Sequence, residues 1–176
     1  ILKEYCNSLP FNLKLNFIHN PKYRETNYIY SIYLAREYLN DDLIILHGDL
    51  VYSEKVIEKV VHAEKSVMTV SSTLPLPEKD FKAVINKNQI IKIGVEFFNN
   101  AVMAQPLYKL YKNDWKHWLI EIIKFVESNQ VTCYAENAFN NVSSYCKVFP
   151  LDIEDELCTE IDIPEDLNNV INNLRG

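Results

Sequence analysis

The chain has 176 residues, which is enough for one domain with a substantial core, and we expect a single domain over residues 1–176. Its formal net charge of −6 and pI of about 5.2 argue against a nucleic-acid partner, because phosphate backbones are bound by clustered Lys and Arg. The four cysteines have no close pairing and no apolar run approaches the roughly 18 residues of a membrane span, so we expect a soluble, cytoplasmic protein with reduced thiols and no membrane partner.

The first part of the chain predicts a strand, a helix and a second strand. Apolar and polar residues alternate over residues 13–17, which is the period of a strand. Apolar residues recur at helical spacing over residues 27–39, with Thr26 or Asn27 as the cap. Residues 42–46 are apolar without alternation, which predicts a strand covered on both faces, and Asp49 follows its carboxyl end.

The middle of the chain predicts a crossover and a hairpin. Ser53 can cap a helix that runs to about Glu64, and residues 66–73 form another strand pattern. A strand, helix and strand of this length normally form a right-handed parallel pair. Residues 81–85 and 89–93, which Asn86, Lys87 and Asn88 join, predict a hairpin.

The last part predicts two strands and two helices. Residues 101–105 and 131–135 are strand candidates, residues 114–127 form an amphipathic helix pattern, and Pro164 begins a final helix. The fold class that follows is α/β, with a Rossmann-like, mixed but mostly parallel sheet flanked by helices.

Two acidic motifs suggest a divalent-metal site. Asp49 follows a glycine at a strand end, where open α/β sheets place their ligands, and Asp162 stands at a helix entrance. Each aspartate also has an ordinary explanation, since Gly-Asp turns are common and the helix dipole favours an acidic residue at the start of a helix. His47 is of interest because it adjoins Asp49.

Three further clusters combine polar groups with a nearby predicted element. Thr26, Asn27 and Ser31 open a helix and can bind a phosphate or a base edge, or simply cap it. Lys82 can neutralise a substrate phosphate, or be solvated. A third group follows a predicted strand and would line a polar pocket or form a turn: Tyr134, Glu136 and Asn137. No Ser-His-Asp order, nucleophile elbow or Walker-type loop occurs, which argues against serine hydrolysis and P-loop chemistry.

Taken in order, five segments resemble the nucleotidyltransferase superfamily, and its phosphocholine cytidylyltransferase-like branch in particular. They are Tyr23-x-x-Thr26-Asn27, Ile29-Tyr30-Ser31-x-Tyr33-Leu34-Ala35, His47-Gly48-Asp49, Lys79-Asp80-Phe81-Lys82 and Glu160-Ile161-Asp162-x-Pro164-Glu165-Asp166-Leu167. The resemblance implies an enzyme that joins a nucleoside triphosphate, CTP in this branch, to a phosphorylated alcohol or sugar such as phosphocholine, with release of pyrophosphate.

The resemblance also implies roles for the candidate residues. Asp49 and Asp162 would be the catalytic ligands of Mg²⁺, with Glu160 assisting, and Lys82 would meet the acceptor phosphate. Two further sets would surround the substrates: Thr26, Asn27 and Ser31 near the nucleotide or acceptor, and Tyr134, Glu136 and Asn137 around the alcohol.

The chain departs from this superfamily at its beginning. The first strands and the glycine-rich, arginine-bearing nucleotide loop are absent, so we expect a partial domain of a longer enzyme, whose incomplete sheet would associate, including with a second copy of the chain. Two alternatives stay open. The first is a catalytically silent binding or regulatory module on the same fold, and the second is a GT-A-like glycosyltransferase, whose usual Asp-x-Asp motif would here begin with His47.

Overall fold

The computed structural model describes residues 2–11 and 14–175 of the chain. The helices in these ranges are α1 (Leu2–Ser8), α2 (Tyr28–Ala35), α3 (Glu54–His62), α4 (Lys112–Glu127), α5 (Ala135–Val142) and α6 (Pro164–Arg175). The strands are β1 (Leu43–Leu46), β2 (Leu50–Tyr52), β3 (Val67–Ser71), β4 (Lys82–Asn86), β5 (Gln89–Gly94), β6 (Ala101–Leu110), β7 (Phe149–Asp152) and β8 (Cys158–Glu160). None of the described helices is long and apolar enough to cross a membrane.

A six-stranded sheet is built around the long strand β6. β3 pairs with one edge of β6, while β4 and β1 share the other edge, so that β4 lies beside residues 101–103 and β1 beside residues 107–110. β5 extends the sheet beyond β4, and β7 extends it beyond β3. A separate two-stranded ladder joins β2 to β8.

The expected α/β class with a mixed sheet is confirmed, but the expectation of a mostly parallel sheet is wrong. Among the described strand pairs only β3 with β7 is parallel. β1 and β3 do run in the same direction, with α3 in the connection between them, yet β6 lies between them and runs opposite to both. A strand supplied by a later part of the chain therefore replaces the predicted parallel contact with two antiparallel ones.

β1 is covered on one face only, so the prediction of a strand buried on both faces is also wrong. Ile44 and Leu46 are each 41% exposed, whereas Leu43 and Ile45 pack against the main core. No strand in residues 2–11 or 14–175 pairs with the second edge of β1. Within the described residues, one face and one edge of the strand that leads to Asp49 are therefore open.

The strand predicted over residues 13–17 does not form in the described part of the chain. Leu13 lies outside the described residues, and residues 14–20 have no regular structure. Leu15 and Phe17 are 42% and 41% exposed, so in the part of the chain that the structure describes they do not pack against a sheet or core. Without a partner strand, a period of two does not produce a β-strand.

The strand predicted over residues 131–135 is likewise wrong. These residues turn after α4 and lead into α5, whose N-cap is Tyr134. The apolar residues Ala135, Ala138, Phe139 and Val142 have helical spacing, and the first three are buried against α4 and the sheet. Their packing outweighs the weak strand preference of the preceding residues.

Several other predicted elements are confirmed. α2 begins after Asn27, whose side chain accepts a hydrogen bond of 2.7 Å from the backbone N–H of Tyr28. α4 buries Trp115, Trp118 and Ile122, which belong to the apolar stripe that its sequence pattern predicts. β4 and β5 form the predicted hairpin, with Lys87 and Asn88 at positive φ in its turn.

Two apolar clusters lie on opposite faces of β6. Tyr108 points to the main core, where Trp118 and Phe139 hold α4 and α5 against the sheet. Its neighbour Leu107 points to a smaller cluster under α3, which includes Val56. The smaller cluster also anchors the β2–β8 ladder, which positions the acidic motifs.

Candidate active site

The β2–β8 ladder brings the two acidic motifs together. Leu50 pairs with Glu160, and the backbone N–H of Ile161 donates a 3.0 Å hydrogen bond to the carbonyl oxygen of Asp49. His47 and Asp49 lie between β1 and β2, so they face the segment that follows β8. Backbone pairing thus joins two motifs from distant parts of the sequence.

Three side chains from these motifs form a compact cluster. His47 Nδ1 lies 2.8 Å from Glu160 Oε1. Asp49 completes the group, since one ligand atom from each of the three residues lies within 4.8 Å of the other two. Carboxylate oxygens and an imidazole nitrogen are ligands for divalent cations, and these three residues therefore fit a metal ion.

Asp162 lies beside this cluster without being part of it. The predicted metal ligands were Asp49, Asp162 and Glu160, and the structure places Asp49 and Glu160 together. Asp162 lines a neighbouring cavity, and its backbone N–H is bound by the carboxylate of Asp166 at 3.0 Å. The role of Asp162 as a metal ligand stays a prediction.

An acidic cavity of about 390 Å³ opens next to the cluster. It is lined by Tyr28, His47, Lys79, Asp80, Phe81, Val95, Tyr134, Glu160 and Asp162. Burial, followed by the nearby carboxylates of Glu160 and Asp162, raises the pKa of Asp80. One lysine among the lining residues accompanies three acidic side chains, so the cavity favours a ligand that carries positive charge.

Aromatic rings form one wall of the acidic cavity. The centroids of Phe81 and Tyr134 are 5.0 Å apart in an edge-to-face arrangement, and Tyr28 lies 6.3 Å from Tyr134. The ring of His47 meets Tyr28 edge to face at 4.6 Å. Aromatic faces attract cations, so this wall and the carboxylates favour the same type of ligand.

A second, apolar groove of about 490 Å³ adjoins the acidic cavity and shares Tyr28 and His47 with it. It runs between α2 and β1, and its other lining residues are Ser31, Ile32, Ala35, Leu39, Ile45, Leu46, Gly48 and Asp49. The metal-type cluster therefore stands between an acidic cavity and an apolar groove.

Glu136 lies beneath the acidic cavity and does not line it. It is 2% exposed and accepts hydrogen bonds from the hydroxyl groups of Tyr28 and, at 2.7 Å, of Tyr108. Burial raises the pKa of Glu136 to about 8. Its position supports Tyr28 from behind. Asn137 is also absent from the lining of the acidic cavity. A direct contact of either residue with an alcohol substrate stays a prediction.

The residues predicted near the nucleotide hold the start of α2. Asn20 donates hydrogen bonds to the hydroxyl groups of Thr26 and Ser31 at 3.2 and 3.1 Å. Asn27 caps the helix, and Ser31 also lines the apolar groove. These contacts explain why the residue types occur there, and a further role in nucleotide binding stays a prediction.

Lys82 is fully buried, and its ammonium group is bound by the protein itself. It donates to the backbone carbonyl oxygens of Pro77 at 2.5 Å and Glu78 at 3.3 Å, and it lies 4.2 Å from the ring centroid of Phe98. Lys82 is absent from the lining of the acidic cavity, whereas Lys79 is part of it. The phosphate-binding role of Lys82 stays a prediction.

Sequence reasoning did not assign several residues of this site. Tyr28, Asp80 and Phe81 gave no separate signal, although Asp80 and Phe81 fall in the segment that drew attention to Lys82. Lys79 belongs to the same segment. His47 was noticeable only through its place two residues before Asp49, and its contact with Glu160 depends on the β2–β8 pairing.

Comparison with known proteins gives a family and a fold. A family model described as a domain of unknown function (DUF6564) matches residues 1–92. The chain is 34% identical over 64 residues to CMP-5'-(3-aminopropyl)phosphonate synthase of Streptomyces rubellomurinus, which is 36% of this chain and 10% of that protein. It is 23% identical over 194 residues to CTP:phosphoglutamine cytidylyltransferase of Campylobacter jejuni, which is 95% of this chain and 75% of that protein.

Solved structures have the same fold. The inositol-1-phosphate CTP transferase from T. maritima matches with a TM-score of 0.68 and 24% identity, over 88% of this chain and 63% of that one. The CTP:phosphocholine cytidylyltransferase from Streptococcus pneumoniae matches with a TM-score of 0.73 and 17% identity, over 98% of this chain and 75% of that one. The chain therefore has the nucleotidyltransferase fold, and it spans 63% and 75% of the length of these two structures.

Proposed function

Because this chain belongs to the DUF6564 family and has the nucleotidyltransferase fold, we propose that it is part of a cytidylyltransferase that transfers the CMP group of CTP to a phosphorylated small molecule. Two named relatives act on CTP or make a CMP-linked product, and their names specify a phosphorylated or phosphonate partner. The observation that carries the proposal is the cluster of His47, Asp49 and Glu160 at the edge of the acidic cavity.

The proposal includes a divalent metal, Mg²⁺ in the first instance. Asp49 and Glu160 would hold the metal ion. Asp162 lines the acidic cavity, from which it would approach a phosphate bound to that ion. When bound, Mg²⁺ supplies positive charge beside the phosphate oxygens. The carboxylates of this chain fix where that charge sits, and the β2–β8 ladder fixes the carboxylates.

The acceptor that best matches the acidic cavity is a phosphorylated amine or quaternary ammonium alcohol, of which phosphocholine is an example. Tyr28, Phe81 and Tyr134 present an aromatic wall to the cation, and acidic side chains surround the same space. Lys79 is the cation in the cavity lining and would contact the acceptor phosphate. The phosphate of an uncharged sugar has no cationic group, so it would leave the carboxylates of the cavity without a partner.

The reaction requires alignment more than side-chain chemistry. An oxygen of the acceptor phosphate attacks the α-phosphorus of CTP, a new P–O bond forms, and the bond to the β-phosphate oxygen breaks to release pyrophosphate. The attacking phosphate oxygen is already ionised at neutral pH, so no general base is needed. The site must therefore orient two anions and neutralise their repulsion.

Pyrophosphate release tests this proposal across a grid of nucleoside triphosphates and phosphorylated acceptors. The assay uses this chain and the product of the whole open reading frame, with Mg²⁺ present. We expect CTP and a cationic acceptor to give the highest rate, and Asp49→Asn and Asp162→Asn to remove most of it. Asp155→Asn, which changes an exposed acid outside the acidic cavity, is the matched control.

A specificity measurement tests the aromatic wall separately. Tyr134→Ala should raise the KM for phosphocholine by roughly 2- to 30-fold, because the variant loses one cation–π contact. The KM for the phosphate of an uncharged sugar should stay constant. Tyr134→Phe keeps the ring and is the control.

Absence of pyrophosphate release from a folded protein with every acceptor would refute the transferase and favour a catalytically silent binding module on the same fold.

A further inference from the structure

We propose that His47 is itself a ligand of the divalent cation, so that the site binds transition-metal ions in preference to Mg²⁺. This inference rests on the proposed function, because it concerns the metal of the same site. It differs from the metal set implied by the sequence, which contained oxygen ligands only: Asp49, Asp162 and Glu160.

The first argument is distance. His47 Nδ1 and Glu160 Oε1 are 2.8 Å apart, and ligand atoms from Asp49, His47 and Glu160 lie within 4.8 Å of one another. Two ligands about 2.1 Å from an octahedral ion are roughly 3 Å apart when they occupy adjacent positions. The His47–Glu160 pair is therefore already spaced as neighbouring ligands, and a carboxylate oxygen of Asp49 lies within 4.8 Å of both ligand atoms.

The second argument is access combined with a fixed orientation. The side chains of His47 and Glu160 are 20% and 17% exposed, and Asp49 is exposed. The His47 ring is held edge to face by Tyr28 at 4.6 Å and by Phe81 at 6.3 Å. The imidazole is thus held in one place while its edge stays open to both the acidic cavity and the apolar groove.

A simple hydrogen bond between His47 and Glu160 is the competing explanation. This hydrogen bond accounts for the 2.8 Å distance between His47 and Glu160. It does not account for the carboxylate of Asp49, which lies within 4.8 Å of the same pair. Two carboxylates and one imidazole form a mixed oxygen and nitrogen set. Imidazole suits Fe²⁺, Co²⁺, Ni²⁺ and Zn²⁺, whereas Mg²⁺ prefers oxygen ligands, so the mixed set shifts selectivity toward the transition metals.

Cobalt binding provides a direct test that needs no turnover. The full chain is titrated with Co²⁺, followed by its visible absorption, and with Mg²⁺ as a competitor. We expect His47→Ala to weaken Co²⁺ binding by about tenfold or more and to change the absorption spectrum, while Mg²⁺ binding changes much less. His19→Ala, at an exposed histidine in the loop before α2, is the control and should behave as the unchanged chain.

His47→Ala could lose Co²⁺ binding simply by misfolding, so the test includes a second variant and a measurement on the unchanged chain. His47→Gln keeps a polar group opposite Glu160 and should lose the same Co²⁺ affinity. In the unchanged chain, substoichiometric Mn²⁺ should broaden the NMR signals of the His47 ring before those of His19, His62 and His117. The inference is overturned if the His47 variants bind Co²⁺ as tightly as the unchanged chain, or if Mn²⁺ does not broaden the His47 signals first.

The two proposals fail in different ways. If CTP-dependent pyrophosphate release occurs but Co²⁺ binding is insensitive to His47, the transferase stands and the nitrogen ligand is wrong. If Co²⁺ binding requires His47 but no nucleotide and acceptor pair gives pyrophosphate, the metal site stands and the proposed reaction is wrong.

Discussion

Replacing Glu136 with glutamine should make the stability of this protein much less dependent on pH. Glu136 is buried between Tyr28 and Tyr108, whose hydroxyl groups both donate to it, and burial raises its pKa from 4.5 to about 8. Between these two values the folded chain holds a proton that the unfolded chain has released. Stability from this group is therefore fully present below about pH 4.5, declines as the pH rises, and is lost above about pH 8.

The size of the effect follows from the same two values. Each pH unit in the interval changes the free energy of unfolding by about 1.4 kcal/mol, so the loss is about 3–4 kcal/mol at pH 7 and levels off at about 5 kcal/mol above pH 8. These are ceilings, because water or side-chain movement around the charged carboxylate would reduce them. The introduced glutamine side chain keeps one acceptor oxygen, and its amide group can donate to the second tyrosine oxygen.

Urea unfolding of both proteins from pH 5 to pH 8.5 tests this expectation. The difference between the Glu136→Gln variant and the unchanged chain isolates this group from other titrating residues, such as Asp80, whose pKa burial also raises. We expect the two free energies to be similar near pH 5 and to diverge in favour of the variant as the pH rises. Parallel profiles would refute the reasoning, since Glu136 would then titrate alike in the folded and unfolded chains.

Three further changes test local features of the fold: the main core, a helix-to-strand contact and the hairpin turn. Phe139→Ala should lower the free energy of unfolding by about 3–5 kcal/mol, because the ring is fully buried in the main core; a loss below about 1 kcal/mol would contradict that packing. Asn140→Ala should cost about 1–3 kcal/mol in the same urea assay, since its side chain makes 2.8 Å hydrogen bonds to both backbone groups of Ile93, and an unchanged midpoint would show that water replaces them. Lys87→Asn should stabilise the hairpin by up to about 1 kcal/mol, because Lys87 has a φ of 47° that Asn adopts more readily; destabilisation would show that the lysine side chain matters more than its backbone.

The sequence predicted those elements whose signals are local. α2 has its own cap at Asn27, the β4–β5 hairpin has its turn residues, and α4 has an apolar stripe long enough to exclude a strand. Each signal lies within the element that it predicts. Such elements keep their identity whatever packs against them.

The errors concern properties that depend on distant residues. Residues 13–17 have a strand pattern, but pairing requires a neighbouring strand that the described chain does not provide. The parallel pair predicted around α3 is separated by β6, a strand from later in the chain. Periodicity shows which face of a segment is apolar, and it does not show which segment lies beside it.

The candidate site shows the same division. Asp49 and Glu160 could be proposed from their motifs, yet only the β2–β8 ladder shows that they meet and that His47 joins them. Phe81 lines the acidic cavity and Lys82 does not, although they are adjacent in sequence. Lys82 begins β4, where successive side chains point to opposite faces, so the two residues cannot both reach the cavity from a regular strand.

The charges of the acidic cavity also constrain the order of events in the proposed reaction. Asp80, Glu160 and Asp162 outnumber Lys79, so an acceptor phosphate that entered alone would meet net repulsion. A cation held by Asp49 and Glu160 removes that repulsion, and a positively charged acceptor group against the aromatic wall reduces it further. Metal binding and acceptor binding should therefore strengthen each other by the same factor, because coupling between two ligands is reciprocal. The acidic cavity is therefore compatible with a phosphorylated substrate. Its carboxylates attract the metal ion and the positively charged acceptor group, and these two cations allow the phosphate to bind.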